Sequence, residues 1–143
     1  MQVAAMAPHP LLRCARVGHQ VAPPARGVDD ERIAGAEALG RALGLDAGPR
    51  RAIAGTIPPQ HMFGLETAVM LPLQWGGIMH RRRPLLPADI RAVLESMPAP
   101  RWLMTTPLHL RTCVEEGGRF APLEGIVSST MPLAPALAQQ AEA

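Results

Sequence analysis

The pattern of hydrophobic and polar positions becomes regular near Asp29 and stays regular to residue 143. Apolar residues recur at the three- and four-residue spacing of helices that face a core, with Gly or Pro at the boundaries. This spacing predicts five helices: 29–45, 61–73, 87–97, 107–116 and 135–143. Short runs without charged residues separate them and are typical of strands buried on both faces. These runs predict four strands: 52–57, 78–79, 102–105 and 123–129.

The alternation of strands and helices predicts an α/β fold with helices packed on a parallel sheet and right-handed crossovers. Ligands of such sheets bind beyond the carboxyl ends of the strands. Two segments that follow strands carry polar residues suited to a ligand, 56–64 and 127–133. We therefore expect the functional site at these two strand ends.

The first 28 residues differ from the rest of the chain. They contain three arginines, four prolines and no acidic residue, and they show neither a helical nor a strand period. We expect an irregular tail over 1–28 and one partial α/β domain over 29–143. An arginine-rich, acid-free start is also the bias of a transit peptide, although the prolines disfavour its amphipathic helix. The sequence has no apolar run of about 20 residues and no signal-peptide pattern, so we expect a cytoplasmic protein without a membrane partner.

Charge and cysteine usage exclude several kinds of chemistry. All 14 basic residues are arginine and the net charge is +2, so the chain offers no lysine nucleophile and only weak attraction for polyanions. The run 80–83 (HRRR) could contact phosphate, but it lacks interleaved aromatic residues, and we expect a solvated loop and no nucleic-acid partner. Cys14 and Cys113 are isolated and indicate neither a zinc site nor a disulfide scaffold. We expect no metal site, and Cys113 as a small core residue.

The first candidate segment, PPQHMFGLE, places a histidine just before a helix. Free N–H groups and the helix dipole favour an anion there, and His61 could neutralise or hydrogen-bond a carboxylate or phosphate. Gly64 permits a ligand or a neighbouring backbone to approach closely. The alternative is a turn-capping histidine, with Met62 and Phe63 in the core.

The second candidate segment, VSSTMPL, has three hydroxyl residues after a strand. Such residues can cap the following helix, and they can also bind a ligand. Local sequence leaves both readings open.

In this order, the two segments resemble motifs of the adenylate-forming ligases, a superfamily of acyl-CoA synthetases, aryl-CoA ligases and luciferase-like enzymes. PPQHMFGLE is similar to that family's proline–aromatic–histidine motif, MTTPLHL to its strand-to-helix turn, and VSSTMPLAPAL to its small-residue turn. The resemblance implies that His61 orients the carboxylate or acyl-adenylate, while Met62, Phe63 and Gly64 shape the substrate pocket. It also implies that five residues lie against the adenine of ATP or AMP: Ser128, Ser129, Thr130, Met131 and Pro132.

In three of these positions the chain departs from the family's pattern. Ser129 and Thr130 stand where the family has glycines, and Met131 stands where it has alanine. These bulkier residues change the wall against which the adenine would lie.

The resemblance implies that the full-length enzyme uses ATP and Mg²⁺ to convert a fatty or aryl acid into acyl-AMP, which then passes to coenzyme A or a carrier-protein thiol. The family's phosphate loop, its Thr-Glu motif, its ribose-binding aspartate and its adenylating lysine have no counterpart in this sequence. We therefore expect an internal fragment that is inactive alone. The alternative is a non-catalytic α/β module that binds an acyl ligand or a partner. An unfinished sheet edge could also let copies of the chain associate.

Overall fold

A computed structural model of the chain describes residues 2–4 and 28–142, with side chains described from Ile33 onwards. The described part contains five strands: β1 (Gln2–Ala4), β2 (Ala52–Gly55), β3 (Ile78–Met79), β4 (Arg101–Thr105) and β5 (Gly125–Ser128). It contains six α-helices: α1 (Val28–Ala42), α2 (Met62–Leu65), α3 (Leu71–Trp75), α4 (Pro87–Ser96), α5 (Pro107–Glu116) and α6 (Pro135–Glu142).

The strands form one sheet in the order β1-β5-β4-β2-β3. Strands β3, β2, β4 and β5 are parallel to one another, and β1 pairs antiparallel with β5. The predicted α/β fold with a parallel sheet is therefore confirmed. Because β2, β4 and β5 run side by side in the same direction, their carboxyl ends meet at one edge of the sheet.

Alternating side chains of the strands divide the core into two layers. On one face, Ala54, Leu103 and Ile126 pack against α4, α5 and α6; on the other, Ile53 and Met104 pack against α1 and α3. The buried stripe predicted for α4 is confirmed: Ile90, Val93, Leu94 and Met97. Cys113 is buried in the α5 layer, also as expected.

The predicted helix 61–73 is interrupted by a wider turn. Helix α2 leads into a π-helical turn, Glu66–Met70, and then into α3. Pro72 has no backbone N–H to donate to the preceding turn, and the backbone accommodates the missing donor with wider spacing just before it. The helix runs close to the sheet here: a Cβ built on Gly55 would lie 2.8 Å from Cβ of Ala68.

The structure departs from the sequence-based expectation at the start of the chain. Gln2–Ala4 lie within the predicted irregular tail, yet they form β1, because their backbone groups pair with the otherwise open side of β5. Helix α1 also begins inside the tail, at Val28. Residues 5–27, which include Cys14 and most of the predicted tail, lie outside the described residues. Within the described part, no helix is long and apolar enough to cross a membrane.

At the opposite, amino edge of the sheet, one carboxylate ties three elements together. Glu124 accepts hydrogen bonds from Arg51 at 3.0 and 3.3 Å and from Trp102 Nε1 at 2.6 Å. Burial alone would raise the pKa of Glu124, but these hydrogen bonds and the charge of Arg51 outweigh it and lower the pKa. This edge is therefore fixed by polar contacts among the protein's own residues.

Candidate functional site

The carboxyl ends of three parallel strands bring three hydroxyl side chains into one row. Thr105 is paired in register with Ser128, and Thr56 N–H donates to the carbonyl of Met104, which extends β2 alongside β4. In-register residues of adjacent strands point to the same face, here the face covered by α5. We call Thr56, Thr105 and Ser128 the hydroxyl row. Neighbouring strands lie about 4.8 Å apart, so the row spans roughly 10 Å.

The hydroxyl row is buried, and its members differ in their hydrogen bonds. All three side chains are excluded from solvent. Thr56 Oγ1 and Thr105 Oγ1 lie 3.1 Å apart and are hydrogen-bonded. Among the described residues, the Oγ atom of Ser128 has no hydrogen-bond partner. A buried hydroxyl without a partner costs about 1–3 kcal/mol, so Ser128 marks an unsatisfied end of the row.

His109 completes the row at the β2 side. It lies in the first turn of α5, where its backbone N–H donates to the capping hydroxyl of Thr106 at 3.3 Å. Its Nδ1 lies 2.9 Å from Thr56 Oγ1 and 3.3 Å from Thr106 Oγ1. Burial lowers the pKa of His109, which favours the neutral imidazole at pH 7. His109 thus links the ends of β2 and β4 through hydrogen bonds.

His61 lies at the same edge but makes no comparable contacts with the described residues. It occupies the position before α2, is exposed, and makes no side-chain cap hydrogen bond. Its backbone N–H donates to the carbonyl of Pro58 at 3.0 Å, which closes the turn after β2. The imidazole is therefore free to meet a ligand, and the proposed carboxylate contact stays a prediction.

The three residues after His61 have different environments. Met62 is exposed, Phe63 is half-buried against the core layer that contains Leu71, and Gly64 is buried. A Cβ at Gly64 would lie 2.1 Å from the carbonyl oxygen of Pro58. Gly64 therefore allows the helix to lie close to the turn that precedes it. Of the three residues, Met62 has the side chain most accessible to a ligand.

The second predicted segment forms a turn directly beyond β5. Ser129 N–H donates to the carbonyl of Thr105 at 3.2 Å, while Thr130, Met131 and Pro132 are exposed. Thr130 has φ of 83°, the left-handed region that β-branched residues rarely adopt. Backbone strain of this kind tends to occur at binding sites. The turn thus follows the unpartnered Ser128 with a strained residue.

Sequence reasoning identified two of the three strand ends as a candidate site and missed the middle one. Thr105, Thr106 and His109 were present in the strand-to-helix turn, but His109 received no role. The available signal was positional: hydroxyl residues at the carboxyl end of a predicted parallel strand, then a histidine one turn into a helix. Register across β2 and β4 is what joins Thr56 to Thr105, and local sequence does not contain it.

The described residues contain no other obvious centre of chemistry. No group of three His, Cys, Asp or Glu side chains among them could hold a metal ion. A small cavity lies elsewhere, at the amino end of β2 beside Arg51, Trp75 and Gly77, and its volume of about 10 Å³ accommodates one water molecule. The carboxyl edge is thus a stronger candidate site than this cavity, because it carries a cluster of polar groups and lies where parallel sheets bind ligands.

Together the fold and the edge define an α/β protein with a polar cluster at the carboxyl ends of a parallel sheet. No protein-family model, curated protein or solved structure matches the chain.

Proposed function

We propose that this chain forms part of an adenylate-forming acid ligase and contributes a binding wall for an acyl-adenylate. One observation carries the proposal: the turn that ends in His61 follows β2, and the turn 128–132 follows β5, at the same edge of a parallel sheet. Only β4 separates the two strands, so the turns start roughly 10 Å apart. One extended ligand can contact both.

The backbone conformation of Thr130 also supports the proposal. The ligases that the sequence resembles carry glycine in this turn, and left-handed backbone is the conformation that glycine adopts most easily. At Thr130 the chain keeps φ of 83° despite a β-branched side chain. A backbone suited to glycine, occupied by threonine, agrees with the resemblance.

The proposed role is binding and orientation of the ligand. His61 donates a hydrogen bond to an oxygen of the carboxylate or acyl phosphate, and the turn 128–132 lies against the adenine. The chain has no lysine. Its described residues also provide no carboxylate cluster for Mg²⁺. In this proposal, charge stabilisation at the phosphates and transfer to coenzyme A or a carrier thiol belong to other parts of the ligase.

The test is binding of a non-hydrolysable acyl-adenylate analogue, an acyl sulfamoyl adenosine, to the purified chain by calorimetry. We expect saturable one-to-one binding that His61→Ala weakens about tenfold or more, the value of a hydrogen bond to a charged group. The matched control is Gln60→Ala, the exposed neighbour in the same turn. Absence of binding, or equal loss in both variants, would contradict the proposal. We expect no carboxylate-dependent ATP–pyrophosphate exchange, and robust exchange would contradict the binding-only role.

A second candidate function is an acyl-ligand-binding module that does not use ATP. The chain contains no lysine, yet its carboxyl edge carries both the hydroxyl row and exposed apolar side chains. This combination favours binding of an acyl ligand without ATP. Saturable binding of a free acid, without any gain from an attached adenosine, would favour this second function over the first.

A further inference from the structure

Strand β3 is the last strand on one side of the sheet, and among the described residues no strand lies beyond it. Its Ile78 N–H donates to the carbonyl of Arg51 at 2.8 Å. Two residues on, His80 N–H donates to the carbonyl of Ile53 at 3.2 Å. Because backbone groups of successive strand residues face opposite sides, the N–H and C=O of Met79 point away from β2. The outer side of β3 therefore presents one hydrogen-bond donor and one acceptor.

The side chains of β3 are exposed, unlike those of the other parallel strands. Ile78 is 43% exposed and Met79 47%, whereas β2, β4 and β5 are almost wholly buried. Successive side chains of a strand point to opposite faces, so both faces of this edge offer apolar surface. An apolar edge strand is a template for pairing with a further strand, and proteins usually cover or protect such an edge.

Arginine residues lie at both ends of β3. The run Arg81–Arg83 follows the strand directly and is exposed. The N–H of Arg82 donates to His80 Nδ1 at 3.1 Å, which holds this run in a turn against the end of the strand. At the other end, a Cβ built on Gly76 would lie 3.8 Å from Nε of Arg50, which is also exposed. The apolar edge is therefore flanked by positive charge on each side.

This distribution of charge disfavours a second copy of the chain as the partner strand. In an antiparallel pair of two β3 strands centred on Met79, Arg81 of one copy lies opposite Gly77 of the other. Gly77 adjoins the position beside Arg50, so arginines of the two copies would meet at both ends of the pair. Like charges placed across a strand pair are destabilising. A strand with acidic residues at both ends would meet opposite charge there instead.

We propose that β3 is a docking edge for a partner polypeptide that contributes a short apolar strand with acidic residues at both ends. The strand pairs antiparallel with β3, so that one residue of the partner exchanges both backbone hydrogen bonds with Met79. These bonds supply affinity for any extended chain, and the side chains select the partner. The edge involves neither His61 nor the turn 128–132, so this inference does not depend on the proposed ligase function.

The first test measures binding of a fluorescein-labelled peptide, EEVTVEE, to the intact chain by fluorescence anisotropy. The control peptide is KKVTVKK, which has the same apolar centre and opposite charge. An exposed ion pair is worth up to about fivefold in affinity, so we expect the acidic peptide to bind at least about tenfold more tightly. Its binding should weaken as salt rises from about 0.05 to 0.5 M, because screening lengthens over this range. Failure of the acidic peptide to bind, or equal binding of both peptides, would overturn the proposal.

The second test asks whether the peptide binds as a strand. Methylation of one backbone nitrogen removes one N–H and leaves every side chain of the peptide unchanged. In the antiparallel pair the N–H of the central threonine faces Met79, while that of the preceding valine points away. We expect methylation at the threonine to weaken binding at least about fivefold, the net value of one hydrogen bond, and methylation at the valine to have little effect. Equal effects at the two positions would contradict strand addition.

The third test changes the backbone of the docking edge. Met79→Pro removes the outward N–H, and proline is tolerated on an edge strand where the N–H faces solvent. We expect a far-ultraviolet circular dichroism spectrum like that of wild type and peptide affinity lower by at least about fivefold. The control Met79→Leu keeps the N–H and should bind like wild type. Wild-type affinity in Met79→Pro would refute the backbone contact, and if that variant does not fold, the pair of methylated peptides decides the same point.

The fourth test changes the charge beside the edge. Arg81→Ser should weaken binding of the acidic peptide about two- to fivefold. The matched control is Arg111→Ser, which removes an exposed arginine on α5, outside the run that follows β3. Equal loss in both variants would show that the peptide responds to net charge and not to this edge.

Two other occupants of the edge predict different results. If copies of the chain pair through β3, analytical ultracentrifugation will show self-association that Met79→Pro abolishes, and the acidic peptide will not bind. If the arginines bind nucleic acid, an oligothymidine strand will bind more tightly than the acidic peptide, with affinity reduced in Arg81→Ser and retained in Met79→Pro. Either result would overturn the proposal of an acidic partner strand.

Discussion

Removal of the Ser128 hydroxyl should stabilise the protein, which is the opposite of the usual effect of a substitution in the core. Ser128 is fully buried, and its Oγ has no hydrogen-bond partner in the part of the chain that the structure describes. The folded state therefore bears the desolvation cost of a polar group without a compensating bond, about 1–3 kcal/mol. Alanine removes that cost and leaves only a small void. We expect Ser128→Ala to raise the free energy of unfolding by about 1 kcal/mol.

At the other end of the hydroxyl row, removal of a hydroxyl should instead lower the free energy of unfolding. Thr56 Oγ1 is bonded to Thr105 Oγ1 and to His109 Nδ1. Thr56→Val conserves shape but leaves both partners without these bonds, one of them fully buried. At about 1 kcal/mol or more for each lost bond, we expect a loss of about 2–3 kcal/mol. The two variants thus differ by about 3–4 kcal/mol although each removes one hydroxyl.

Urea unfolding followed by circular dichroism measures both changes, provided that the slope with urea concentration stays constant between variants. A gain of 1 kcal/mol should also raise Tm by about 3 °C in a chain of this length. If Ser128→Ala lost 1 kcal/mol or more, Ser128 Oγ would have a partner in solution and the reasoning would be refuted.

Three further predictions concern backbone and charge. Thr130→Gly should stabilise the fold by about 0.5–1 kcal/mol in thermal unfolding, because the left-handed strain that glycine relieves exceeds its extra entropic cost. A loss of stability would contradict the strained conformation. Gly64→Ala should cost about 3 kcal/mol in urea unfolding, since its Cβ would lie 2.1 Å from a backbone oxygen, and a neutral effect would show that the turn yields freely. Glu124→Gln should cost about 1 kcal/mol at pH 7. Because the pKa of Glu124 is lowered in the fold, its contribution is full above the ordinary value of 4.5 and is lost as the pH falls below it, so wild type should lose stability on acidification more steeply than Glu124→Gln.

Periodicity predicted the helices and strands well because most of them are amphipathic or bounded by Gly and Pro. Helix α4 has its predicted buried stripe, and α5 begins at the predicted Pro107. The pattern failed where distant partners decide the structure. Strand β1 is too short to show a period, and it exists through pairing with β5. Leu108 is an apolar residue in the first turn of α5, and periodicity alone does not show that it is exposed.

The candidate site was only half visible in the sequence for a related reason. His61 and the turn 128–132 can be recognised from their unusual local composition. The hydroxyl row cannot be recognised in this way, because its three residues are far apart in sequence and are common at strand ends: Thr56, Thr105 and Ser128. Only strand order and register place them side by side.

The carboxyl edge is also where the described part of the chain departs from favourable local chemistry. Elsewhere the described hydroxyl groups find partners: Thr67 Oγ1 donates to the carbonyl of Phe63 at 2.6 Å, and Ser96 Oγ donates to the carbonyl of Val93 at 2.7 Å. Within residues 33–142, the other buried side-chain atom without a partner is Arg91 Nε, and its guanidinium is already bonded to a carbonyl through Nη2. Against this background, an unpartnered Ser128 two residues before a strained Thr130 is a concentration of unfavourable features within one turn. A chain whose local choices otherwise agree with its fold tends to keep such exceptions where a ligand binds, and this turn lies where parallel sheets bind theirs.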